Sequence, residues 1–465
     1  MNKIKLGKQE IVHFIGIGGI GMSGLAQIMK TMGFKVQGSD VSKNKNTDNC
    51  KKLSIKILIG HNKKNISKAT IIVKSSAIKL NNIELVESKK KNIPIYDRIE
   101  MLANIIDLKK NIIITGSHGK TTTTSLVAQI ISTAKLDPTI INGGVINSLK
   151  NNAKLGQGEW AIVEADESDG SFLKVPINYS IVTNIDEEHL DYYKNFNKLK
   201  EAFKTFIEKT PPIGKSFLCL DDLNLKKIIK KLKTKNYYTY GFHKDSNFRI
   251  CNPIYEISFT KFDLKVKNVG FKNVYIKNIL LNLIGKHNVL NACAAIGLCL
   301  NLGLNISVIK KALKSFLGVQ RRLTKVFKKN KIEFYDDYAH HPTEIKSVLE
   351  GFRKVASKRK IIVVFQPHRY SRIKSLKSQF AACFKNSDQV ILCPVYAAGE
   401  SIDRRYNDKN FAKLILKFSK TQVILIKNEN DLSKYFKKNL ISDEIVIGMG
   451  AGSISKWMYN LKNIL

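Results

Sequence analysis

The chain has no apolar run approaching the roughly 18 residues that a membrane-spanning helix needs, so insertion into a membrane is not expected. Its beginning, Met1-Asn2-Lys3-Ile4-Lys5, carries no apolar core or small-residue cleavage site and leads into a strand pattern, so no secretory leader is expected. Cysteine is sparse. Cys50, Cys219, Cys251, Cys293, Cys299, Cys383 and Cys393 form no C-x-x-C pair, and their number is odd. That argues against a disulfide scaffold and fits reduced structural thiols in a cytoplasm.

Arginine is also scarce, at ten of the 78 basic residues, while the formal net charge is +40. Such a charge invites a nucleic-acid reading. The lysines, however, are spread over the whole length instead of forming a stripe, and Asn and Ile are abundant too. This is a drift in residue usage, and no nucleic-acid partner is expected. Runs such as Lys89-Lys90-Lys91 and Lys226-Lys227 read as solvated faces. The rarity of arginine makes Arg321-Arg322 and the pair Arg369 and Arg372 informative. With 43% apolar and 9% aromatic residues there is material for real cores. At about 100–200 residues per domain, the length suggests two to four domains.

The sharpest signal is Ile112-Ile113-Ile114-Thr115-Gly116-Ser117-His118-Gly119-Lys120-Thr121-Thr122. An apolar strand enters a glycine-bounded loop, and a Lys-Thr pair opens a helix reaching about Ala134. Glycines let backbone N–H groups curl around phosphate oxygens, and the helix N-terminus adds partial positive charge. Lys120 can bridge terminal phosphates, and the Thr121 hydroxyl can ligate Mg2+. Ile114 stands where the usual phosphate loop has its first glycine. The plain alternative is a tight strand-to-helix turn.

Upstream, the strand Ile11-Val12-His13-Phe14-Ile15 runs into Gly16-Ile17-Gly18-Gly19-Ile20-Gly21, a G-x-G-x-x-G. A helix follows with Met22, Leu25, Ile28, Met29 and Met32 at helical spacing. The next strand ends at Gly38-Ser39-Asp40, where an acid can meet a ribose-type hydroxyl. Strands over 55–60 and 70–75 complete a Rossmann-like segment. The glycines alone do not separate NAD from another pyrophosphate ligand such as a UDP-sugar.

Beyond the phosphate loop, one strand ends in Glu164-Ala165-Asp166-Glu167-Ser168-Asp169. The next ends in Asn184-Ile185-Asp186-Glu187-Glu188-His189. Acids past the C-terminal ends of parallel strands are where such sheets place ligand and metal groups. A polar β-rich stretch, 237–278, is expected beside this sheet. Gly285-Lys286-His287-Asn288 then starts an Ala-rich helix. Asn288 can simply cap it; with His287 and Asn291 it can also read a base edge. The last third holds Arg321-Arg322, Asp336-Asp337-Tyr338-Ala339-His340-His341-Pro342-Thr343 and Gln366-Pro367-His368-Arg369, among strands and helices that alternate again. His340 and His341 lack a nearby cysteine or an H-E-x-x-H, which argues against zinc. Six of the nine histidines (His118, His189, His287, His340, His341 and His368) fall in these strand-end or loop motifs, as a composite site between domains would require.

Taken in order, these motifs, with Gly16-Ile17-Gly18-Gly19-Ile20-Gly21-Met22-Ser23-Gly24 and Tyr338-Ala339-His340-His341-Pro342 the most specific among them, resemble the Mur ligase family of ATP-dependent amide-forming enzymes. They span almost the whole chain. Some members have glycine at the position of Ala339. The resemblance implies an α/β fold of three domains: a Rossmann-like UDP-sugar-binding domain over 1–108, a phosphate-loop ATP-binding domain over 109–317, and a Rossmann-like amino-acid-binding domain over 318–465. It implies the alanine-adding activity, in which L-alanine is joined to the lactyl carboxylate of UDP-N-acetylmuramate through an acyl phosphate, with ATP and Mg2+.

By the same resemblance, Gly116, Ser117, His118, Gly119, Lys120, Thr121, Thr122, His287, Asn288, Asn291, Arg322 and Asp337 would bind ATP. Gly16, Gly18, Gly19, Gly21, Asp40 and Ser75 would bind the UDP-substrate. Lys120, Glu164 and His189 are the expected catalytic residues, with Thr121, Glu164 and His189 on metal; a His ligand is the less natural choice for Mg2+. Tyr338, His340, Arg369 and Arg372 would receive the amino acid, since arginines one helical turn apart can face one carboxylate. No carbamylated lysine, which other members carry, is assigned. A cytoplasmic monomer or homodimer is expected. The competing readings are a ligase adding a preformed peptide to UDP-N-acetylmuramate and, more remotely, an NAD-dependent oxidoreductase, which leaves Lys120 unexplained.

Overall fold

The computed structural model describes residues 6–465 apart from Phe271 and Arg404. Among them the chain forms three sheets. It divides into two compact units. One comprises Met1–Asn252, Phe262–Leu280 and Leu290–Leu317; the other comprises Pro253–Lys261, Leu281–Val289 and Gly318–Leu465.

The first sheet contains β1 (Ile11–Ile15), β2 (Lys35–Asp40), β3 (Lys56–Ile59), β4 (Ile71–Lys74) and β5 (Ile95–Asp97), in the order β3-β2-β1-β4-β5. β1 is parallel to both β2 and β4. The chain therefore reverses its direction of travel across the sheet at β1/β4, and the crevice over the strand ends opens there. Gly16, just past β1, and Ser75, just past β4, flank it. Val12, Phe14 and Ile15 are fully buried, as expected of a strand covered on both faces.

The second sheet contains β6 (Lys110–Thr115), β7 (Thr139–Ile146), β8 (Asn151–Lys154), β9 (Trp160–Glu164), β10 (Tyr179–Val182), β11 (Ser216–Cys219), β12 (Tyr237–Gly241), β13 (Phe248–Tyr255), β14 (Thr260–Val266) and β15 (Val274–Leu281). Their order is β15-β14-β13-β12-β11-β10-β6-β9-β7-β8. β6 lies parallel between β9 and β10. The loop leaving β6 is thereby set between the ends of two strands that each finish in an acidic run. The first two sheets are tied within one unit through the helix Ile20–Thr31. The Asn152 side chain donates to Ile20 O at 2.8 Å, and that of Asn151 to Gln27 Oε1 at 2.9 Å. A Cβ on Gly24 would lie 3.0 Å from the Ala153 methyl, so glycine permits this approach.

The third sheet contains β16 (Thr324–Lys329), β17 (Ile332–Asp337), β18 (Ile361–Phe365), β19 (Gln389–Leu392), β20 (Gln422–Leu425) and β21 (Ile445–Met449), in the order β16-β17-β21-β18-β19-β20. All neighbours are parallel except β16, which forms an antiparallel edge with β17. Alternation divides the core. Ile361, Val363 and Phe365 face one layer with Ile445 and Ile447, while Ile362 and Val364 face the other with Val446.

All seven cysteines are free thiols, and six are buried, Cys251 being partly exposed. Burial pushes the Cys50, Cys219 and Cys393 thiols up to about 12. No helix among the described residues is long and apolar enough to cross a membrane.

Candidate active site

The loop after β6 is shaped by two glycines with positive φ. Gly119, at +83°, caps the helix Lys120–Thr133. Gly116 has φ +129°, and a Cβ there would fall 2.2 Å from Thr183 Oγ1. The segment following β10 clamps the loop. Asn184 Oδ1 accepts from His118 N at 2.8 Å, and its amide nitrogen donates to His118 O at 2.9 Å. Thr183 Oγ1 donates to the same carbonyl at 2.6 Å. Ser117 Oγ accepts from Asp186 N at 2.8 Å, and His118 Nε2 lies 3.0 Å from Asp186 Oδ2. Asn291, later in the chain, stands against Gly119, with Oδ1 2.6 Å from where a Cβ would be. Thr122 is buried in the first turn of the helix.

Lys120 is held by oxygens. Its Nζ donates to Gly116 O at 2.6 Å, Ser117 O at 3.1 Å and Glu167 Oε2 at 2.8 Å. Burial opposes its charge, but Glu167, Asp166 and Glu164 outweigh that and raise its pKa, so it remains an ammonium. Thr121 Oγ1 donates to Glu164 Oε1 at 3.0 Å, while Gly143 N donates to Glu164 Oε2 at 2.5 Å. His189, with φ +58°, begins a short helix, and its Nε2 lies 3.6 Å from Glu167 Oε1. Asp166, Glu167 and His189 each bring one donor atom within 4.8 Å of the others. Hydroxyl and carboxylate oxygens at Thr121, Glu164, Asp166 and Glu167 suit a hard divalent cation such as Mg2+, and His189 adds one nitrogen to that set. Glu167, fully buried and three residues after Glu164 in the same acidic run, is the acid that meets Lys120, a role the sequence pattern does not single out.

In the first sheet, Gly16 has φ +82° and its N–H donates to Ser39 O at 2.9 Å, as does that of Ile17 at 3.0 Å. Asp40 Oδ2 accepts from Gly18 N at 2.8 Å, so the carboxylate expected to meet a ribose-type hydroxyl also braces the turn. Gly18 must lack a Cβ, which would lie 2.8 Å from that oxygen. Gly19 is the N-cap of the helix Ile20–Thr31, and Gly21 lies in its first turn beneath the Arg98 guanidinium.

The second unit carries the remaining residues. Asp337 accepts from Leu323 N at 2.7 Å and Ala339 N at 2.8 Å; burial pushes its carboxyl up to about 6 against the pull of Arg322. Arg322 and Arg321 lie over the Tyr338 ring at 5.3 and 4.6 Å, and Arg321 Nη2 donates to Gly450 O at 2.7 Å. Burial, with Arg322 nearby, pushes His287 down to about 4. Asn288 donates to Ile284 O at 2.8 Å, one turn back.

Aromatic rings run on from Tyr338. Its ring meets His340 edge-on at 5.2 Å, His340 meets His368 at 5.8 Å, and His368 stacks on Tyr396 at 5.6 Å. Arg369 is exposed, has φ +69° and caps the helix Tyr370–Ser375. Arg372, expected to face the same carboxylate as Arg369, places Nη1 3.1 Å from His368 Nδ1 and donates to His368 O at 3.4 Å. The backbone turn at Arg369 thus brings Arg372 onto His368.

A phosphate loop set between acidic strand ends, in a chain with two further α/β sheets, defines the architecture of an ATP-dependent ligase. Three family models match in succession: "Mur ligase family, catalytic domain" over 11–110, "Mur ligase middle domain" over 114–299 and "Mur ligase, glutamate ligase domain" over 321–452. The chain belongs to the Mur ligase family. It is 56% identical over 463 residues to the UDP-N-acetylmuramate–L-alanine ligase of Pelagibacter ubique (strain HTCC1062), covering 100% of both chains. It is 40% identical to the enzyme of the same name from Brucella ovis, over 97% of this chain and 96% of that one. Among solved structures, the UDP-N-acetylmuramate-alanine ligase of Thermotoga maritima matches with a TM-score of 0.82 at 28% identity, over 97% of this chain and 98% of that one.

Proposed function

We propose that this chain joins L-alanine to the lactyl carboxylate of UDP-N-acetylmuramate, coupled to cleavage of ATP to ADP and phosphate, in peptidoglycan precursor synthesis. The observation that carries this reading is the Gly116–Thr121 loop, with its half-buried lysine, in a chain similar over its full length to alanine-adding ligases. The proposed domains are 1–108 for the UDP-sugar, 109–317 for ATP and 318–465 for the amino acid. The enzyme works in the cytoplasm as a monomer or homodimer.

Amide formation from a carboxylate in water is uphill. The substrate carboxylate therefore attacks the γ-phosphate and expels ADP, giving an acyl phosphate, and the amine then attacks the acyl carbon, losing a proton as phosphate leaves. Two oxyanions approach in the first step, so fixed positive charge must meet them. Lys120 supplies an ammonium within the loop. Loop N–H groups and the helix N-terminus orient the phosphates. Mg2+, when bound, neutralises phosphate and carboxylate oxygens, and Thr121, Glu164 and His189 would hold it. The glycine turn, Asp40 and Ser75 receive the UDP-substrate. Asn291, His287, Asn288, Arg322 and Asp337 serve ATP. Tyr338, His340, Arg369 and Arg372 serve the amino acid, with Arg372 also meeting His368.

The test is phosphate release with ATP, Mg2+ and UDP-N-acetylmuramate, adding L-alanine, glycine, L-serine or a preformed tripeptide in turn. Release stimulated by L-alanine and not by tripeptide is expected. The reverse would make this a peptide-recycling ligase. Stabilisation by NAD and not by ATP–Mg2+ would reject both.

A further inference from the structure

Beneath the glycine turn of the first sheet lies a carboxylate that none of the roles above uses. Glu84 is fully buried in the first turn of the helix Ile83–Lys90. Donors converge on it from separate parts of the sheet. Ser39 Oγ donates to Oε2 at 2.6 Å, Asn65 Nδ2 to Oε1 at 2.6 Å and Asn62 N to Oε1 at 3.2 Å. His13 Nε2 lies 3.2 Å and His61 Nδ1 3.4 Å from Oε2.

The tautomers follow from the partners. Gln37 Nε2 donates to Asn65 O at 2.9 Å and also meets His13 Nδ1 at 3.1 Å, so that ring nitrogen accepts and His13 Nε2–H donates to Glu84. The single Ser39 hydroxyl proton goes to Glu84. Ser39 Oγ therefore accepts from His61 Nδ1–H, 3.2 Å away. Ser39 is also the residue whose carbonyl takes the N–H groups of Gly16 and Ile17.

We infer that Glu84 is a positioning residue for the UDP-sugar site: through Ser39 it fixes the carbonyl on which the Gly16–Ile17 turn hangs, and through the same hydroxyl it sets the ring of His61. A buried charge is a poor device for stability alone, since apolar replacements of such groups are often neutral or better. What it supplies is a single arrangement of donors drawn from β1, from β2 and from the loop after β3. The inference rests on the reading of this domain as the UDP-sugar site.

The experiment is calorimetry with UDP-N-acetylmuramate and steady-state kinetics on wild type, Glu84→Gln and Ser39→Ala, with nitrogen-15 NMR of the histidine rings. Dissociation constant and KM for the UDP-substrate should rise about tenfold in Glu84→Gln, the lower end for loss of a group that orients a ligand-binding residue. In that variant kcat and the KM for ATP should not change, and the His61 ring signals should move. Ser39→Ala, which keeps the carbonyl and loses only the hydroxyl, should shift the UDP-substrate constants in the same direction. Unchanged UDP-substrate affinity in the variants that fold, or equal losses for ATP and UDP-substrate, would overturn the inference. Failure of the wild type to bind UDP-N-acetylmuramate would instead reject the functional reading on which it rests.

Discussion

Lys120 and Glu167 form an ion pair, Nζ to Oε2 2.8 Å, at the mouth of the phosphate loop, with the glutamate fully buried and the lysine partly so. The ammonium has three protons to give, and Glu167 and two carbonyls of its own loop accept them. A phosphoryl group must therefore compete with Glu167 for this cation. The same glutamate lies near His189, so one carboxylate links the phosphate-binding lysine to a candidate metal ligand.

Replacing Lys120 by alanine should lower phosphate release by about 10²–10³-fold, the scale for losing one preorganised oxyanion donor. Binding of the UDP-substrate should persist. The variant should also melt earlier, because Glu167 becomes a buried carboxylate without its cation, a loss of roughly 3–5 kcal/mol. Lys120→Ala with Glu167→Gln should recover stability and not turnover. Turnover near that of wild type in the single variant would remove Lys120 from the reaction.

Thr121→Val removes the hydroxyl that donates to Glu164 and keeps the side-chain shape. Stabilisation by ATP should then depend less on Mg2+ than in wild type. Thermal shifts with ATP, with and without Mg2+, measure this. An unchanged Mg2+ effect would show that the hydroxyl is structural.

Arg369→Lys keeps the charge and loses the planar fork. KM for L-alanine should rise severalfold at saturating UDP-substrate, with KM for ATP nearly constant. Arg372→Lys should act differently, since its guanidinium rests on His368. Parallel loss of both affinities in Arg369→Lys, together with a lower melting temperature, would make this a structural arginine.

Stability should fall with acid in two stages. Burial, with His340, Arg372 and Arg369 nearby, pushes His368 down to about 4, and His287 is likewise pushed down to about 4. In the unfolded chain these rings bind protons near pH 6.5, before the folded ones do, so stability is lost between about pH 6.5 and 4. Glu84 acts lower. Burial opposes its charge, but His13, Ser39 and Asn65 outweigh it and hold the carboxyl at about 2. Its contribution is complete above about pH 4.5 and disappears as pH falls through about 2. His368→Gln should make the first stage of a melting-temperature profile shallower, with the His287 share remaining, and leave the second in place.

Local chemistry made much of this legible in the sequence. The two glycine turns announce themselves because only glycine takes their backbone angles or close approaches, as at Gly116 and Gly18. The acidic runs were visible as strand ends. The missing parts are non-local. Nothing near Glu84 in the chain says that His13, 71 residues away, will donate to it. The Lys120 partner is likewise 47 residues off, and the run that supplies it offers four acids. Sheet order was equally hidden. β21, the last strand, enters the third sheet between β17 and β18, and the antiparallel edge made by β16 has no sequence mark distinct from a loop. The hydrogen bond from Gly18 N to Asp40 is hidden as well, because it depends on how the turn folds back over β2.

The burial of the thiols has a practical side. Alkylating and maleimide reagents attack thiolates, and six of the seven cysteines are buried, several with thiols pushed far above neutral pH. Cys251→Ser would leave a chain almost silent to such reagents without touching its interior. A cysteine placed at Leu108, 92% exposed between β5 and β6, would then carry a fluorophore or spin label essentially alone. The native protein thus comes close to being its own cysteine-free background for spectroscopy.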